Sequence, residues 1–273
     1  MSGGELSPLL QRIGEIARTA GDAILVVYGS DFEVEHKDDR SPVTAADLAA
    51  QEVIVAGLAQ LEPRLPVVSE EASTIPWSER QQWSRYWLVD PLDGTREFIK
   101  RNGEFTVNIA LIDNHETVLG VVLAPVTGEL YVARRGEGAW LQSHPGGSWQ
   151  RIQARALAQP AHVAGSRWHG ADATRVLQGL LGDTYSTLAL GSSLKFCVIA
   201  RGDADVYLRR GPTSEWDTAA AQCVLEEAGG AVLDLRGEPF SYNRGESLLN
   251  PEFIAVGDRL IDWRSKLLAL DIF

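Results

Sequence analysis

Between residues 105 and 142 the chain is written as four short apolar runs, FTVNIALI, TVLGVVLAP, ELYVARR and GAWLQ, broken by DNHE, VTGE and GEG. Runs rich in β-branched residues, separated by turn signals at this close spacing, predict an antiparallel meander. What precedes it has a different period. Leu6, Leu9/Leu10, Ile13, Ile16/Ala17, Ala20, Ile24 and Val27/Tyr28 recur at helical spacing over residues 5–28, with Gly29 as a stop. SPVTAADLAAQEVIVAGLAQLEP (41–63) predicts a second helix from Ala45 to Leu61, closed by Pro63. LPVVSEE (65–71) and YWLVD (86–90) are short buried strands, and each ends in acid. HPGGSW (144–149) is expected as an inter-domain loop, dividing the chain into residues 1–150 and 151–273. The second part predicts a strand at AHVAGS, a helix over 171–181, a strand over 184–190, a helix over 192–201, a strand at DVYLR, a helix over 218–230 with a Gly cap, and a strand at AVLDL. Helices and strands mix without a regular βαβ repeat.

Composition narrows the function. At 273 residues the chain can bury roughly 70–75% of its unfolded surface without disulfides or structural zinc. Its 25 basic against 37 acidic residues leave a net charge of −12, which opposes binding to nucleic acid or an anionic membrane. A phosphate-ester substrate would need bound divalent metal to offset that charge. Cys197 and Cys223 sit in apolar runs, as buried small hydrophobes in a reducing cytosol. The MSGGELSPLL start has no basic region followed by an apolar one, and no run reaches the ~18 apolar residues of a membrane span, so a cytoplasmic protein is expected. The zinc-hydrolase, P-loop, serine-hydrolase and Rossmann motifs are absent.

The segment WLVDPLDGTREF (87–98) carries the chemistry. A strand delivers Asp90, Pro91 fixes the backbone, and Gly94 permits a tight turn that presents Asp93 and Thr95 beside it. Two carboxylates in one dry pocket repel, and hard divalent cations such as Mg²⁺ relieve this through oxygen ligands. A plain turn whose aspartates only cap the chain fits the same letters. Further acids stand at Glu70 and Glu71 and at Asp217 in SEWDTAAA, where N-capping is the simple alternative. Thr44 and Asp47 read as a capping box, or as an acceptor that orients a hydroxyl.

Together SEE (69–71), DPLDGT (90–95) and EWDTAAAQCVLEEAGG (215–230) resemble the inositol monophosphatase-like superfamily of metal-dependent, lithium-sensitive phosphatases, in the expected order from Leu6 to Gly257. The continuation Arg96-Glu97-Phe98-Ile99, with HKDDRSPVTAAD (36–47), GSSLKFCVIARGDADVY (191–207) and GPTSEWDTAA (211–220), is similar to the 3'(2'),5'-bisphosphate nucleotidase branch. Trp168 is a departure, because the branch often has Ser there.

The resemblance implies a layered α-β-α-β-α fold of mixed α/β class. A helix pair covers an antiparallel sheet in the first half, a smaller mixed sheet lies in the second, and the active site falls between them. It assigns Glu70, Asp90 and the Leu92 carbonyl to one Mg²⁺, and Asp90, Asp93 and Asp217 to another, with a third, weaker ion beside Glu70. Asp47, Thr95 and Glu70 become catalytic residues that orient the attacking water. The phosphate meets Glu70, Leu92, Asp93, Gly94, Thr95 and Asp217. The remaining substrate contacts are Ser166, His169, Gly191 and Lys195, the last pairing with a second phosphate, with Arg209 and Arg210 nearby. The reaction implied is hydrolysis of 3'-phosphoadenosine 5'-phosphate (PAP) to AMP, with the sulfonucleotide PAPS as a second substrate. Inositol monophosphate and fructose 1,6-bisphosphate are rival substrates, and a non-catalytic phosphosugar- or metal-binding protein is the rival of another kind. Homodimers occur in the superfamily.

Overall fold

The computed structural model describes residues 6–31, 34–36, 42–72, 75–165 and 171–270. In chain order the elements are α1 (Pro8–Tyr28), β1 (Val34–His36), β2 (Pro42–Thr44), α2 (Ala45–Leu58), β3 (Val67–Ser69), α3 (Trp77–Arg80), β4 (Arg85–Asp93), α4 (Thr95–Ile99), β5 (Thr106–Asp113), β6 (Glu116–Ala124), β7 (Glu129–Arg134), β8 (Gly138–Gln142) and β9 (Trp149–Ile152). There follow β10 (Ala161–Gly165), α5 (Ala171–Leu181), β11 (Tyr185–Ala189), α6 (Leu194–Ala200), β12 (Val206–Arg209), α7 (Glu215–Glu227), β13 (Ala231–Asp234), β14 (Phe253–Val256) and α8 (Trp263–Leu268).

Strands β3 to β9 form one seven-stranded sheet in sequence order, antiparallel except that β3 runs parallel to β4. The second sheet is five-stranded and mixed, in the order β11-β10-β12-β14-β13. Alternation along the strands sends side chains to opposite faces. Trp87, Val89, Ile109 and Val121 therefore pack on α1 and α2, while Tyr86, Leu88, Ala110 and Val122 pack on α6 and α7. The far side of that helix layer meets Tyr207, Phe253 and Ala255 of the smaller sheet, whose other face packs on α5 and α8 through Val176, Leu177, Trp263 and Leu267. The order helices, sheet, helices, sheet, helices is the expected five-layer sandwich.

Several boundaries differ from expectation. Residues 144–148 are the turn between β8 and β9 of one sheet and not an inter-domain loop, because Gln142 and Trp149 pair across it. Helix α2 stops at Leu58, short of Leu61, and α7 starts at Glu215 because Ser214 caps it. Pairing that brings β13, β14 and α8 into the core depends on distant partners, and β14 and α8 carry no strong local signal. Both cysteines are free and buried, as expected. Among the described residues no helix is long and apolar enough to cross a membrane.

One glycine sets how close α7 comes to the large sheet. A Cβ on Gly120 of β6 would lie 2.1 Å from the Ala220 carbonyl oxygen and 2.8 Å from Cys223 Cβ. Gly120→Ala is expected to push α7, and Asp217 with it, off the sheet, at a cost of about 3 kcal/mol or more in urea denaturation.

Candidate active site

Four elements bring the acids together. Strand β3 pairs in parallel with β4 through Ser69 and Val89, so Glu70, in a 3-10 turn at Glu70–Ala72, emerges beside Asp90. Along β4 the register opposite β5 slips between Asp90 (facing Asn108) and Asp93 (facing Thr106), so three steps on one strand match two on the other. That is a one-residue bulge. Positions i and i+3 of a regular strand face opposite ways, and one extra residue returns them to the same side. Pro91 is the sequence cue, since proline inside a sheet concentrates at bulges and edges. Asp90 alternates with Leu88 and Tyr86, which lie on the face covered by α7, and the start of α7 places Asp217 over it.

Carboxylate oxygens of Glu70, Asp90 and Asp217 lie within 4.8 Å of one another. They line a cavity of about 210 Å³ together with Leu92, Asp93, Gly94 and Thr95. Asp90 is 1% exposed; its Oδ1 accepts from the Leu92 N–H (3.0 Å), and its buried Oδ2 has no partner among the described residues. Burial first, then the charges of Glu70, Asp93 and Asp217, push the Asp90 carboxyl well above the usual range. Burial pushes Asp217 up to about 8 and Asp93 up to about 6; beside Asp93 the Lys195 charge and the Ser193 N–H pull the other way. Ionised acids packed this way need a cation. The buried partnerless Oδ2 and the all-oxygen donor set fit a hard divalent ion, which Glu70, Asp90, Asp217 and the adjacent Asp93 would hold.

Two capping motifs also serve the site. Thr44 caps α2, and its N–H and hydroxyl donate to Asp47 Oδ2 at 2.8 and 2.7 Å, so the capping box is present. Asp47 Oδ1 is 3.4 Å from the Thr95 hydroxyl, so one carboxylate takes both roles that the sequence left open. Asp217 is not the N-cap of α7. Ser214 is, and Asp217 three residues on accepts the Ser214 N–H through Oδ2 at 2.8 Å. Gly94 has φ +94°, the left-handed region that favours glycine, so the tight turn expected there is present, and it leads directly into α4.

A second cavity of about 560 Å³ shares Asp93, Gly94 and Asp217 with the first and extends over Gly191, Lys195 and Arg209. Lys195 is 6% exposed; its ammonium donates to Ser192 O (2.6 Å), lies 5.1 Å over the Tyr207 ring, and burial lowers its pKa to about 8. A Cβ on Gly191 would meet Glu104 O and Glu97 Cγ, each at 2.7 Å, so its close approach is to the chain itself. Arg210 pairs with Glu252 and does not line either cavity. Ser166 and His169 lie outside the described residues. Ser193, which with Lys195 stands where the inositol enzymes tend to carry small residues, gains a site role that the sequence did not assign: its N–H donates to Asp93 Oδ2 at 2.5 Å and its hydroxyl joins Asn108 and Thr106 in a closed hydrogen-bond ring. That role is not legible locally, because its partners come from β4 and β5.

Against known protein families, residues 5–261 match the inositol monophosphatase family. The chain belongs to that family. Curated relatives named 3'(2'),5'-bisphosphate nucleotidase CysQ are 51% identical in Escherichia coli K12, over 90% of this chain and 98% of the relative, and 36% identical in Haemophilus influenzae, over 94% and 96%. Among solved structures of the inositol monophosphatase family, CysQ from Bacteroides thetaiotaomicron is 38% identical with a TM-score of 0.80, over 92% of this chain and 97% of that one. An IMPase of Thermotoga maritima is 25% identical with a TM-score of 0.76, over 96% and 97%.

Proposed function

We propose that this chain is a Mg²⁺-dependent 3'(2'),5'-bisphosphate nucleotidase that hydrolyses PAP to AMP and phosphate, and accepts PAPS as a second substrate. The observation that carries this reading is a carboxylate cluster opening beside a larger cavity that holds a buried lysine. Hydrolysis of one phosphate needs only the acids and their ions. The lysine supplies a separate positive charge for a second phosphate. The likeness to enzymes named for this reaction, over nearly their whole length, supports it. Inositol and fructose phosphates are less favoured.

When bound, Mg²⁺ held by Glu70, Asp90, the Leu92 carbonyl, Asp93 and Asp217 supplies Lewis-acid polarisation of the phosphate and acidification of water. Thr95 and Glu70 orient the water whose oxygen attacks phosphorus. Asp47 accepts the Thr95 hydroxyl proton's hydrogen bond, which keeps the Thr95 lone pairs turned to that water. The water's O–P bond forms as the P–O3' bond breaks; one of the water's two protons passes through solvent to the departing O3' alkoxide and the other stays on the phosphate, leaving AMP and hydrogen phosphate. Backbone amides at Gly94–Thr95 donate to the phosphate oxygens. Nothing here needs a covalent intermediate, since positioning and charge neutralisation dominate phosphoryl transfer.

Steady-state phosphate release tests this. PAP should be turned over with Mg²⁺, lost with a chelator, inhibited by Li⁺, and preferred to inositol 1-phosphate and fructose 1,6-bisphosphate. Faster turnover of inositol phosphate would sink the specificity. In Lys195→Met, KM for PAP is expected to rise roughly 10–100-fold, while 3'-AMP, which lacks the second phosphate, shows little change.

A further inference from the structure

The acids of the site come from two places that no strand joins. Glu70 follows β3 and Asp90 sits at the bulge of β4, both in the large sheet, whereas Asp217 lies in the first turn of α7, a helix packed across that sheet. The body of α7 is held by its packing on the sheet, but divalent ions tolerate little error in ligand placement, so the first turn that carries Asp217 must be fixed as well. A buried chain of polar contacts ties the first turn of α7 to α3, the helix that follows the Glu70 turn in sequence. Arg80 of α3, in the segment that follows Glu70, is 3% exposed, and its guanidinium donates to Asn243 Oδ1 (2.6 Å), Glu246 O (2.8 Å) and Ile75 O (3.2 Å). Asn243 returns a bond from Nδ2 to Arg80 O at 2.7 Å. The Asn243 N–H in turn donates to both carboxylate oxygens of Glu215, at 2.8 and 3.0 Å.

Glu215 is the first residue of α7, two before Asp217, and is 5% exposed. A carboxylate in a first turn is ordinarily spent on its own helix's orphan amides. Here both oxygens grip a loop from outside the helix. Asn243 has φ +52°, a left-handed conformation that costs a non-glycine residue energy and that asparagine tolerates best. In that conformation its N–H reaches Glu215 while its side chain reaches Arg80. On the other flank, Asn250 Nδ2 donates to Ser214 O at 2.6 Å, and the Ser214 N–H is the one held by Asp217 Oδ2.

We propose that Arg80, Asn243 and Glu215 form a strut that sets Asp217 against Glu70 and Asp90 and so determines the affinity of the site for divalent cations. It rests on the reading of Asp217 as a metal carboxylate. All three are positioning residues, since none lines either cavity.

The test uses Mn²⁺ alone, titrated calorimetrically into the chelator-stripped full chain, so it reads the strut without substrate. Asn243→Gly keeps the left-handed backbone and the N–H to Glu215 but removes both side-chain bonds to Arg80, leaving Arg80 only Glu246 O in that loop; Glu215→Ala cuts the other joint. Each is expected to raise the Mn²⁺ Kd about tenfold, the range seen when groups that orient metal ligands are removed, and to lower kcat with KM for PAP nearly unchanged. Glu215→Gln keeps one acceptor for Asn243 and should stay within about threefold of the parent. Leu177→Ala, in the distant core beneath α5, is the control for lost stability alone. If Glu215→Ala and Asn243→Gly bind Mn²⁺ within about twofold of the parent while melting lower, or if Leu177→Ala weakens Mn²⁺ as much, the strut is only structural and the proposal falls. Should Glu215→Ala not fold, Asn243→Gly decides. Weakened Mn²⁺ binding in a protein that ignores PAP would uphold the strut and overturn the nucleotidase reading.

Discussion

Asp90→Asn is expected to lower kcat by about 10⁴-fold, some 5–6 kcal/mol of transition-state stabilisation, and at the same time to make the metal-free protein melt higher than the parent. The two effects share a cause. Asp90 is buried, it stands among Glu70, Asp93 and Asp217, and its Oδ2 has no partner among the described residues. With ions bound, that oxygen would be a donor to them; without them its ionisation is opposed by burial and by the neighbouring acids. Asparagine keeps the acceptor for the Leu92 N–H, removes the repulsion, and offers an amide nitrogen where the ion needs an oxygen. Phosphate-release kinetics and scanning calorimetry of the stripped protein read the two effects separately. A variant that retained turnover within tenfold would show that the cluster is not the reacting centre.

The second large effect is a pH dependence whose sign depends on metal. Asp217 and Asp93 titrate near 8 and 6 in the folded chain, above their ordinary carboxylate value, because burial disfavours their charge. Between the unfolded and folded values the native state holds more protons than the unfolded one, so stability falls as pH rises through that window. For the chelated protein, Tm should drop from about pH 5.5 to about pH 8 by roughly 5–10 °C, taking about 2–4 °C per kcal/mol for a chain of this size. Mg²⁺ held by the ionised acids would return about 2.7 kcal/mol at about 100 times its Kd. The melting curves with and without Mg²⁺ should therefore diverge as pH rises. Parallel curves, or a chelated protein that gains stability toward pH 8, would contradict the assignment of these acids to a cation.

Local patterns carried far in this chain. The meander at 105–142, the helices of residues 8–28 and 45–58 and the capping pair Thr44–Asp47 follow from side-chain period and from the backbone groups that a helix start leaves unpaired. Elements that rely on distant partners were harder to read. Strand β14 has four residues and is defined by β12 and β13 on either side. The segment after Gly94 reads as a turn until its left-handed glycine opens α4. Lys195 could equally have been a surface residue on an exposed helix face; only the packing of α6 between two sheets buries it.

The acids themselves were all legible as residues: Glu70 after a strand, Asp90 and Asp93 around a proline, Asp217 in the first turn of an alanine-rich helix. Their chemical types, and the oxygen-only preference that goes with them, are properties of the letters. Their convergence is not. A carboxylate reports nothing of its neighbours until a parallel pairing puts Glu70 beside Asp90, a one-residue bulge turns Asp93 to the same side, and Gly120 lets α7 settle close enough to lay Asp217 across them. Sequence determined which atoms could grip a cation. Tertiary structure alone decided their spacing, because electrostatic repulsion, burial and ligand geometry act through distances that the order of residues along a chain does not contain.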